Sequence, residues 1–524
     1  MQQNFESMKP IVLVAALAAV SCTSYFEKRS ENVDVEGTLS HDLIVLGDRL
    51  EDPYTVENMK RAVESLYPTR AGSLRMEATD LYVRFLPSGE TDFEALEEMG
   101  LEMLDHPMDY EILKEGDYYH DPDIPEGEMT WQYAVVDAGF KFPEGVRCEI
   151  IDECYIAEHQ PTKADDLDWD AVEREAYRLT GNGHLLGAVT KAGAVAPSGR
   201  IVVVDDVLGG EPQGVAGVKV TCNTFVKMGV AYTDADGYYQ MERTYSSDMR
   251  YRIVFKNKKG FGIGFNLLLV PASVSTLGEQ PAEGVSVQID RNSERKLFCR
   301  AVVNNAAWDY FEACDDSTEK LRTPPANVRI WLLNSLGASS AVMMQQGCLV
   351  EDGLIGDFLG EYSPLVRMFL PDITIGLRDK ESFSQIYFAT QHELAHASHF
   401  AQVGREYWEN VIRFVLTSYV TSGFVTYGVG TEENHGYCEV AEMWAYYLES
   451  KFYRERYSDT SVMFGTGYWF YPQILMFLDE RGIGRSRIFS ALTSDIVDSE
   501  GMRSKLISLY PESKGVINQA FERF

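Results

Sequence analysis

The sequence is poor in positive charge. It has 47 lysine and arginine residues against 80 aspartate and glutamate residues, so its formal net charge at pH 7 is −33. Nucleic acids and anionic lipids attract basic surfaces and repel acidic ones. We therefore expect no nucleic-acid partner and no electrostatic docking on anionic lipid. A well-solvated acidic surface is the simplest interpretation of this charge, and a cationic substrate or partner is the weaker one.

Long apolar runs and clustered cysteines are also missing. No stretch reaches the roughly 18 consecutive apolar residues that a membrane-spanning helix needs. The eight cysteines are scattered and none lies in a C-x-x-C pattern, so we expect neither a disulfide framework nor a cysteine zinc site. Cys148 and Cys154 are close enough in sequence to pair, whereas most of the others are expected to be small buried apolar residues.

Residues 1–22 have the pattern of a targeting segment. Lys9 precedes an apolar run over residues 11–20, which is too short to span a bilayer. The run ends in Ala19-Val20-Ser21-Cys22, which resembles the lipobox of bacterial lipoproteins, with Ala19 in place of the usual Leu. The resemblance implies a lipid on Cys22 that anchors the protein in the bacterial cell envelope, at the outer membrane, facing the periplasm or the cell surface. A plain cleaved signal peptide or a short anchor is the alternative.

A chain of 524 residues is too long for one hydrophobic core, and two to four domains are expected. Residues 30–194 begin with a polar, acidic tether and continue as a mixture of predicted helices and strands. The alternating pattern of residues 80–86 predicts a strand, and Thr91 followed by Glu94 predicts the capping box of a helix. We predict an α+β domain without a cluster of catalytic residue types. Both a propeptide and a structural or docking domain remain open.

Residues 197–292 follow a boundary rich in Gly, Pro and Ser, and consist of short strands separated by turn signals. This pattern predicts a β-sandwich, with Asp236-Gly237 in a hairpin turn. The motifs Gly217-Val218-Lys219-Val220 and Thr233-Asp234-Ala235-Asp236-Gly237-Tyr238-Tyr239 resemble those of carboxypeptidase regulatory-like domains, which are transthyretin-like sandwiches. The resemblance implies a supporting or partner-binding domain that is not itself catalytic.

The strongest chemical motif is His392-Glu393-Leu394-Ala395-His396, an H-E-x-x-H pattern. Residues 381–403 contain neither Pro nor Gly, Ser382 or Ser384 could cap their start, and Gly404 follows, so a helix is predicted. On a helix the two imidazoles share one face and can bind a single zinc ion. Glu393 projects at the edge of that face, where it can take a proton from a water that the metal activates.

The third metal ligand must come from elsewhere in residues 296–524, which are predicted to be mostly helical. The predicted helix over residues 437–452 carries Glu439 and Glu442 on one face. The site resembles that of the gluzincin peptidases, which are thermolysin-like and take their third ligand from a Glu on a second helix. The resemblance implies a zinc metallopeptidase with His392, His396 and one of these two glutamates as ligands, although its second helix lies farther along the chain than in thermolysin. We favour Glu442, because a charged side chain among large apolar residues costs free energy unless it is paired or binds a metal.

Other residues near the motif are weaker candidates for a role in the site. His399 would extend the motif to H-E-x-x-H-x-x-H, but metzincins need a Gly between their second and third His, and this helix continues through Ala397 and Ser398. We therefore assign His399 to the surroundings of the site or to packing. A strand predicted over residues 373–377 could pair with extended substrate, and a core strand is the alternative. Four residues are candidate donors to a developing oxyanion: Tyr427, His435, Tyr437 and Tyr446.

The sequence thus predicts a multidomain chain with an N-terminal α+β domain, a central β-sandwich and a C-terminal, mostly α zincin-like domain over residues 296–524. The expected function is zinc-dependent hydrolysis of a peptide or protein substrate, with Glu393 as the catalytic base, by a protein bound to the membrane through its N-terminal lipid. The alternative is a non-catalytic envelope lipoprotein that acts as a binding or adhesion module.

Overall fold

The computed structural model describes residues 43–524, except residues 73, 126–127, 160–166, 187–193, 210, 265–271, 317, 319, 335, 349–369 and 423–424. The predicted targeting segment, Cys22 and the acidic tether lie outside the described residues. The described part of the chain contains both β-sheets and helices, and its C-terminal region is mostly helical. None of the helices in this part is long and apolar enough to cross a lipid bilayer.

Residues 43–186 combine two small antiparallel sheets with helices. The strands are β1 (Val45–Arg49), β2 (Asp80–Leu86), β3 (Tyr110–Lys114), β4 (Gln132–Asp137) and β5 (Arg147–Cys154). The helices are α1 (Val56–Leu66), α2 (Pro68–Ala71), α3 (Glu90–Glu98) and α4 (Trp169–Leu179). Strand β2 lies between β4 and β5 in one sheet, and β1 pairs with β3 in the other.

The residue pattern of β2 explains its central position. Leu81, Val83 and Phe85 pack in one apolar cluster, and Tyr82 packs in a second cluster on the opposite face. Both faces of the strand are therefore buried, as the period of two along a strand allows. The predicted capping box at Thr91 is wrong, because α3 begins at Glu90 and its N-cap is Gly89, which has no side chain to accept a hydrogen bond.

Residues 198–289 form two further four-stranded sheets. Their strands are β6 (Ser198–Val203), β7 (Gln213–Gly214), β8 (Lys219–Thr224), β9 (Lys227–Tyr232), β10 (Tyr238–Gln240), β11 (Met249–Val254), β13 (Val274–Gln280) and β14 (Val287–Ile289). The first sheet has the order β10-β6-β14 with β7 paired to β6, and the second has the order β13-β11-β8-β9. The predicted hairpin at Asp236-Gly237 is wrong, because β9 pairs with β8 and β10 pairs with β6. A turn is nevertheless present there, with Gly237 at a φ of 83°. It connects the two sheets, because β9 belongs to the second and β10 to the first.

A three-stranded parallel sheet links this region to the C-terminal helices. Its order is β12 (Gly262–Gly264), β15 (Arg329–Leu333) and β16 (Ile373–Gly376). Because β12 precedes the predicted boundary near residue 292, the sheet is assembled from both sides of it. One apolar core accordingly extends from Ile253 on β11 to Leu394 and Trp444 in the C-terminal helices.

The C-terminal helices pack around the motif helix, α6 (Phe383–Val403). This helix contacts α5 (Arg295–Asp315) on one side and α8 (His435–Tyr457) on another. The remaining helices are α7 (Arg405–Thr421), α9 (Gln473–Asp479), α10 (Arg485–Ser490), α11 (Ser499–Leu509) and α12 (Lys514–Arg523).

Strand β16 is paired along both edges, so the suggestion that residues 373–377 bind extended substrate is wrong. One edge pairs with β15. On the other edge, Thr374 exchanges two backbone hydrogen bonds of 2.8 Å with Ser340. The alternative of a core strand is the one that fits, since the whole strand is buried.

The N-terminal region contacts the neighbouring sheets through apolar and ionic groups. Tyr54, Tyr82 and Tyr177 share an apolar cluster with Phe225 and Val226 of the turn between β8 and β9. Around this cluster, carboxylates of the N-terminal region pair with cations of the later regions: Glu102 with Lys219 at 2.8 Å, Glu173 with Lys227 at 3.0 Å, and Asp117 with Arg300 at 2.9 Å. The interface thus has an apolar centre of its own with charged pairs beside it.

The seven described cysteines are all free, and every one except Cys148 is buried. Cys148 and Cys154 lie near the two ends of β5 and do not form a disulfide. The buried thiols pack as small apolar side chains, as expected for scattered cysteines.

Candidate metal centre

The helix that carries the H-E-x-x-H motif is held at both ends by local signals. Ser382 caps its start by accepting a hydrogen bond from the Gln385 backbone, and the Gln385 side chain accepts one from the Ser382 backbone. Gly404 ends the helix at a φ of 84°, a conformation that favours glycine. The helix predicted from residues 381–403 is therefore confirmed, with Ser382 rather than Ser384 as its cap.

Two histidines from α6 and one glutamate from α8 meet inside the protein. His392 Nε2 lies 3.5 Å from Glu442 Oε2, and His396 Nε2 lies 3.3 Å from Glu442 Oε1. One donor atom from each residue lies within 4.8 Å of the other two. Two ligands at zinc bond lengths of about 2.0–2.1 Å in a tetrahedral arrangement are separated by about 3.3 Å. The three side chains could therefore hold a metal ion with little movement.

The three side chains of this cluster are more deeply buried than charged and polar side chains usually are. His392, His396 and Glu442 are each at most 2% exposed. Burial opposes the charge on Glu442, but the two imidazoles hold the pKa of this carboxyl well below its usual range. Burial alone would lower the pKa of His392, yet its contacts with Glu442 and Glu449 raise that pKa to about 10. The site is therefore electrostatically organised around the Glu442 carboxylate.

Glu393 projects from the same helix into a site where its charge has no direct partner. It is fully buried, and neither of its carboxylate oxygens has a hydrogen-bond partner among the described residues. Burial raises the pKa of this carboxyl to about 8. An unpaired buried carboxylate costs free energy, so its retention needs a reason such as a bound water, ion or substrate.

A second set of residues contacts the candidate ligands His392 and Glu442. Glu449, two helical turns after Glu442, has its Oε2 atom 3.0 Å from His392 Nδ1. The Tyr427 hydroxyl donates to Glu442 Oε2 at 3.1 Å, and the ring of Tyr446 packs edge-on against His392 at 4.5 Å. A partner on the second ring nitrogen fixes the orientation of a ligating imidazole. Glu449 can do this for His392, with Nε2 left to face Glu442.

A narrow cavity opens beside His396 and Glu442. Its volume is about 20 Å³, and its other walls are apolar: Ala341, Trp408, Val411, Ile412 and Val415. A space of this size holds about one water molecule, provided that polar groups bind it. A catalytic metal needs one position for water or substrate besides its protein ligands, and the cavity could provide it.

The other glutamate considered as a ligand lies elsewhere. Glu439 Oε2 accepts a hydrogen bond of 2.9 Å from the Ser499 backbone at the start of α11. Its role is therefore to cap a neighbouring helix, and the structure brings Glu442 to the two histidines instead.

His399 is also outside the donor cluster. Both ring nitrogens are buried without a hydrogen-bond partner among the described residues, and the ring packs against Tyr407 and Trp408. Burial lowers the pKa of this imidazole to about 3, so it is neutral. The interpretation of His399 as a packing residue fits this environment.

The four candidate oxyanion donors are distributed differently around the site. Tyr427 and Tyr446 contact the cluster, and their hydroxyl oxygens are 3.3 Å apart. His435 packs on Trp469, with its Nδ1 atom 2.8 Å from the Glu432 carbonyl. Tyr437 packs on Tyr407. Of the four, Tyr427 and Tyr446 are the two in direct contact with the candidate ligands.

Sequence reasoning missed two charged residues near the cluster. Glu449 had a signal, because residues seven apart on a helix lie on nearly the same face and Glu449 follows Glu442 by seven. Lys380 had none. Its buried Nζ donates to the carbonyls of Gly337 and Gly376 at 2.6 and 2.9 Å, and burial lowers its pKa to about 8.

Comparisons with known proteins add no assignment. No protein-family model matches the sequence, and no curated protein matches it at a significant level. A functional assignment of this chain therefore has to rest on the geometry of its site.

Proposed function

We propose that the protein is a zinc metallopeptidase of the gluzincin type, a hydrolase of peptide bonds. The single observation that carries the proposal is the meeting of His392, His396 and Glu442 with donor atoms within 4.8 Å of one another, next to a buried Glu393. Two imidazoles and one carboxylate are a donor set of catalytic zinc sites, as opposed to the four protein ligands of most structural ones.

Each residue has a defined task in this proposal. His392, His396 and Glu442 would hold the ion, which when bound supplies Lewis-acid chemistry that makes water acidic and polarises a carbonyl. Glu393 accepts the proton from the attacking water and returns it to the departing amine. Burial raises the pKa of its carboxyl to about 8, so the carboxylate is a stronger base than that of an exposed glutamate, and no described residue donates a hydrogen bond to it. Glu449 keeps the His392 ring oriented.

The rest of the chain would support and locate this site. We propose the lipid anchor on Cys22, in the envelope of a bacterium, and peptides or proteins as substrates. The proposed domain limits are residues 30–194 for the α+β domain, 197–292 for the regulatory-like sandwich and 296–524 for the zincin-like domain. The two sheets of residues 198–289 support the second of these, although the sheet formed by β12 and β15 joins it firmly to the third.

The experiment compares the wild-type protein with Glu393→Gln, which keeps the size of the side chain but cannot act as a base. Zinc content after dialysis and cleavage of casein or a fluorogenic peptide library are measured for both. Glu312→Gln provides a matched control, because Glu312 lies on α5 in the same region and pairs at the surface with Lys259. We expect zinc in all three proteins and cleavage by all except Glu393→Gln, with a loss of at least about 100-fold for a missing general base.

The other outcomes have distinct meanings. If wild type binds no zinc, the proposed hydrolase is wrong. If it binds zinc and cleaves nothing, the non-catalytic binding module becomes the better account of the same fold. If it cleaves equally with and without Glu393, the assignment of Glu393 as the catalytic base is wrong.

A further inference from the structure

The segment before α8 has an unusual backbone. Residues 425–432, which we call the Tyr427 loop, contain three residues in the left-handed region: Tyr427 at a φ of 63°, Gly428 at 63° and Gly430 at 76°. A large side chain rarely adopts this conformation, because it strains the backbone. Tyr427 is nevertheless fully buried. Something in the surroundings must therefore hold it there.

Three contacts hold the loop. The Trp469 indole donates to the Tyr427 carbonyl at 2.9 Å, and the Glu432 carboxylate accepts from the backbones of Val429 and Thr431 at 2.9 and 3.0 Å. Neither glycine has room for a side chain. A Cβ atom at Gly428 would lie 2.3 Å from the Glu432 carboxylate, and one at Gly430 would lie 2.4 Å from the Trp469 ring. The loop is thus packed into one arrangement.

This arrangement directs the Tyr427 hydroxyl to Glu442. The hydroxyl donates to Oε2 at 3.1 Å, the oxygen that also faces His392, while Oε1 faces His396. The ring packs edge-on against both Tyr468 and Phe470, at centroid distances of 4.8 and 5.3 Å. The donor therefore approaches the carboxylate from a fixed direction, and the strain of the backbone is connected to the position of a candidate metal ligand.

We propose that Tyr427 is a positioning residue for the metal ligand Glu442, and that the left-handed loop exists to place its hydroxyl. This inference rests on the proposed metal centre. The hydrogen bond keeps the carboxylate between the two imidazoles before an ion arrives, so that binding requires no rearrangement. Outer partners of this kind typically contribute a factor of about 10 to 100 in metal affinity.

The test measures zinc affinity by competition with a chelator, using the full chain. Tyr427→Phe removes the hydroxyl and keeps the ring, and Tyr471→Phe, at an exposed tyrosine 42% accessible, is the matched control. We expect Tyr427→Phe to raise the zinc Kd about 10- to 100-fold and Tyr471→Phe to leave it unchanged. The visible spectrum of the cobalt-substituted protein should change in Tyr427→Phe only, because it reports ligand geometry.

A second pair of variants moves the loop without touching the site. Gly430→Ala forces the loop away from Trp469, whereas Gly467→Ala meets no atom within 4 Å and serves as its control. We expect Gly430→Ala to weaken zinc binding in the same direction as Tyr427→Phe. This pair decides the question on its own if Tyr427→Phe does not fold.

The outcomes separate this inference from the proposed function. If wild type binds no zinc, the metal centre itself is wrong and the inference is overturned with it. If wild type binds zinc and neither Tyr427→Phe nor Gly430→Ala changes the Kd, Tyr427 has only a packing role and the inference alone is overturned. A lower melting temperature of the metal-free variants with an unchanged Kd would have the same meaning.

Discussion

The assignment of Glu442 as the third ligand leads to a quantitative prediction for two glutamates one helical turn apart. Glu442→Gln replaces the carboxylate that faces His392 and His396 with a neutral amide of the same shape. Zinc in sites of four ligands is bound by about 10–16 kcal/mol, which is about 3 kcal/mol per ligand. We therefore expect Glu442→Gln to raise the zinc Kd by more than about 100-fold.

Glu439→Gln is the matched control on the same helix. Glu439 accepts one hydrogen bond from the Ser499 backbone at the start of α11, and the amide oxygen of Gln can still accept it, so the variant should lose less than about 1 kcal/mol of stability and leave zinc affinity unchanged. Chelator competition gives the Kd of each variant, and thermal unfolding of the metal-free proteins gives the stability. The reasoning is refuted if Glu442→Gln binds zinc as tightly as wild type, or if Glu439→Gln is the variant that loses the metal.

Three further predictions concern other parts of the molecule. Glu449→Gln replaces the charged acceptor beside His392 Nδ1 with a neutral amide and should raise the zinc Kd about 10- to 100-fold in the same assay. Burial raises the pKa of Asp52 to about 8, so this carboxyl destabilises the fold progressively as the pH rises from about 4 to 8, by up to about 1.4 kcal/mol per pH unit. Asp52→Asn should therefore raise the melting temperature at pH 8, with a difference that disappears toward pH 4. Removal of residues 1–194 would expose Phe225 and Val226 and leave Lys227 without Glu173, and the truncated protein should melt at a lower temperature or aggregate.

Each of these predictions has a result that contradicts it. Glu455→Gln, at an exposed residue later on α8, should not change zinc binding, and equal effects of Glu449→Gln and Glu455→Gln would contradict the role of Glu449. A stability difference for Asp52→Asn that is the same at pH 4 and pH 8 would show that folding does not raise the pKa of Asp52. A truncated protein as stable as the full chain would favour the propeptide interpretation of residues 30–194.

The elements that sequence reasoning predicted well are those with local causes. The motif helix begins at a Ser382 capping box and ends at Gly404, and both signals lie within a few residues of the boundary they determine. The strand over residues 80–86 was predicted to the residue, because its alternation is a local pattern. The capping box at Thr91 failed because the N-cap lies two residues earlier than expected, at Gly89.

What escaped prediction depends on contacts between distant residues. The pairing of Ser340 with Thr374 and of β12 with β15 joins segments far apart in sequence, and no local pattern in either partner identifies the other. The preference for Glu442 over Glu439 agrees with the position of Glu442 beside the two histidines. That preference came from the apolar residues around Glu442 in the sequence, since a charged residue in such a stretch indicates a functional role. Sequence could not identify the partner of Glu439, since Ser499 lies on another helix.

The most direct test of the metal centre is a crystal structure of the zinc-loaded protein with data collected on both sides of the zinc absorption edge. We predict one anomalous difference peak about 2.0–2.2 Å from His392 Nε2, His396 Nε2 and a carboxylate oxygen of Glu442. The absence of a peak between these three side chains, or a peak bound only by other residues, would contradict the account.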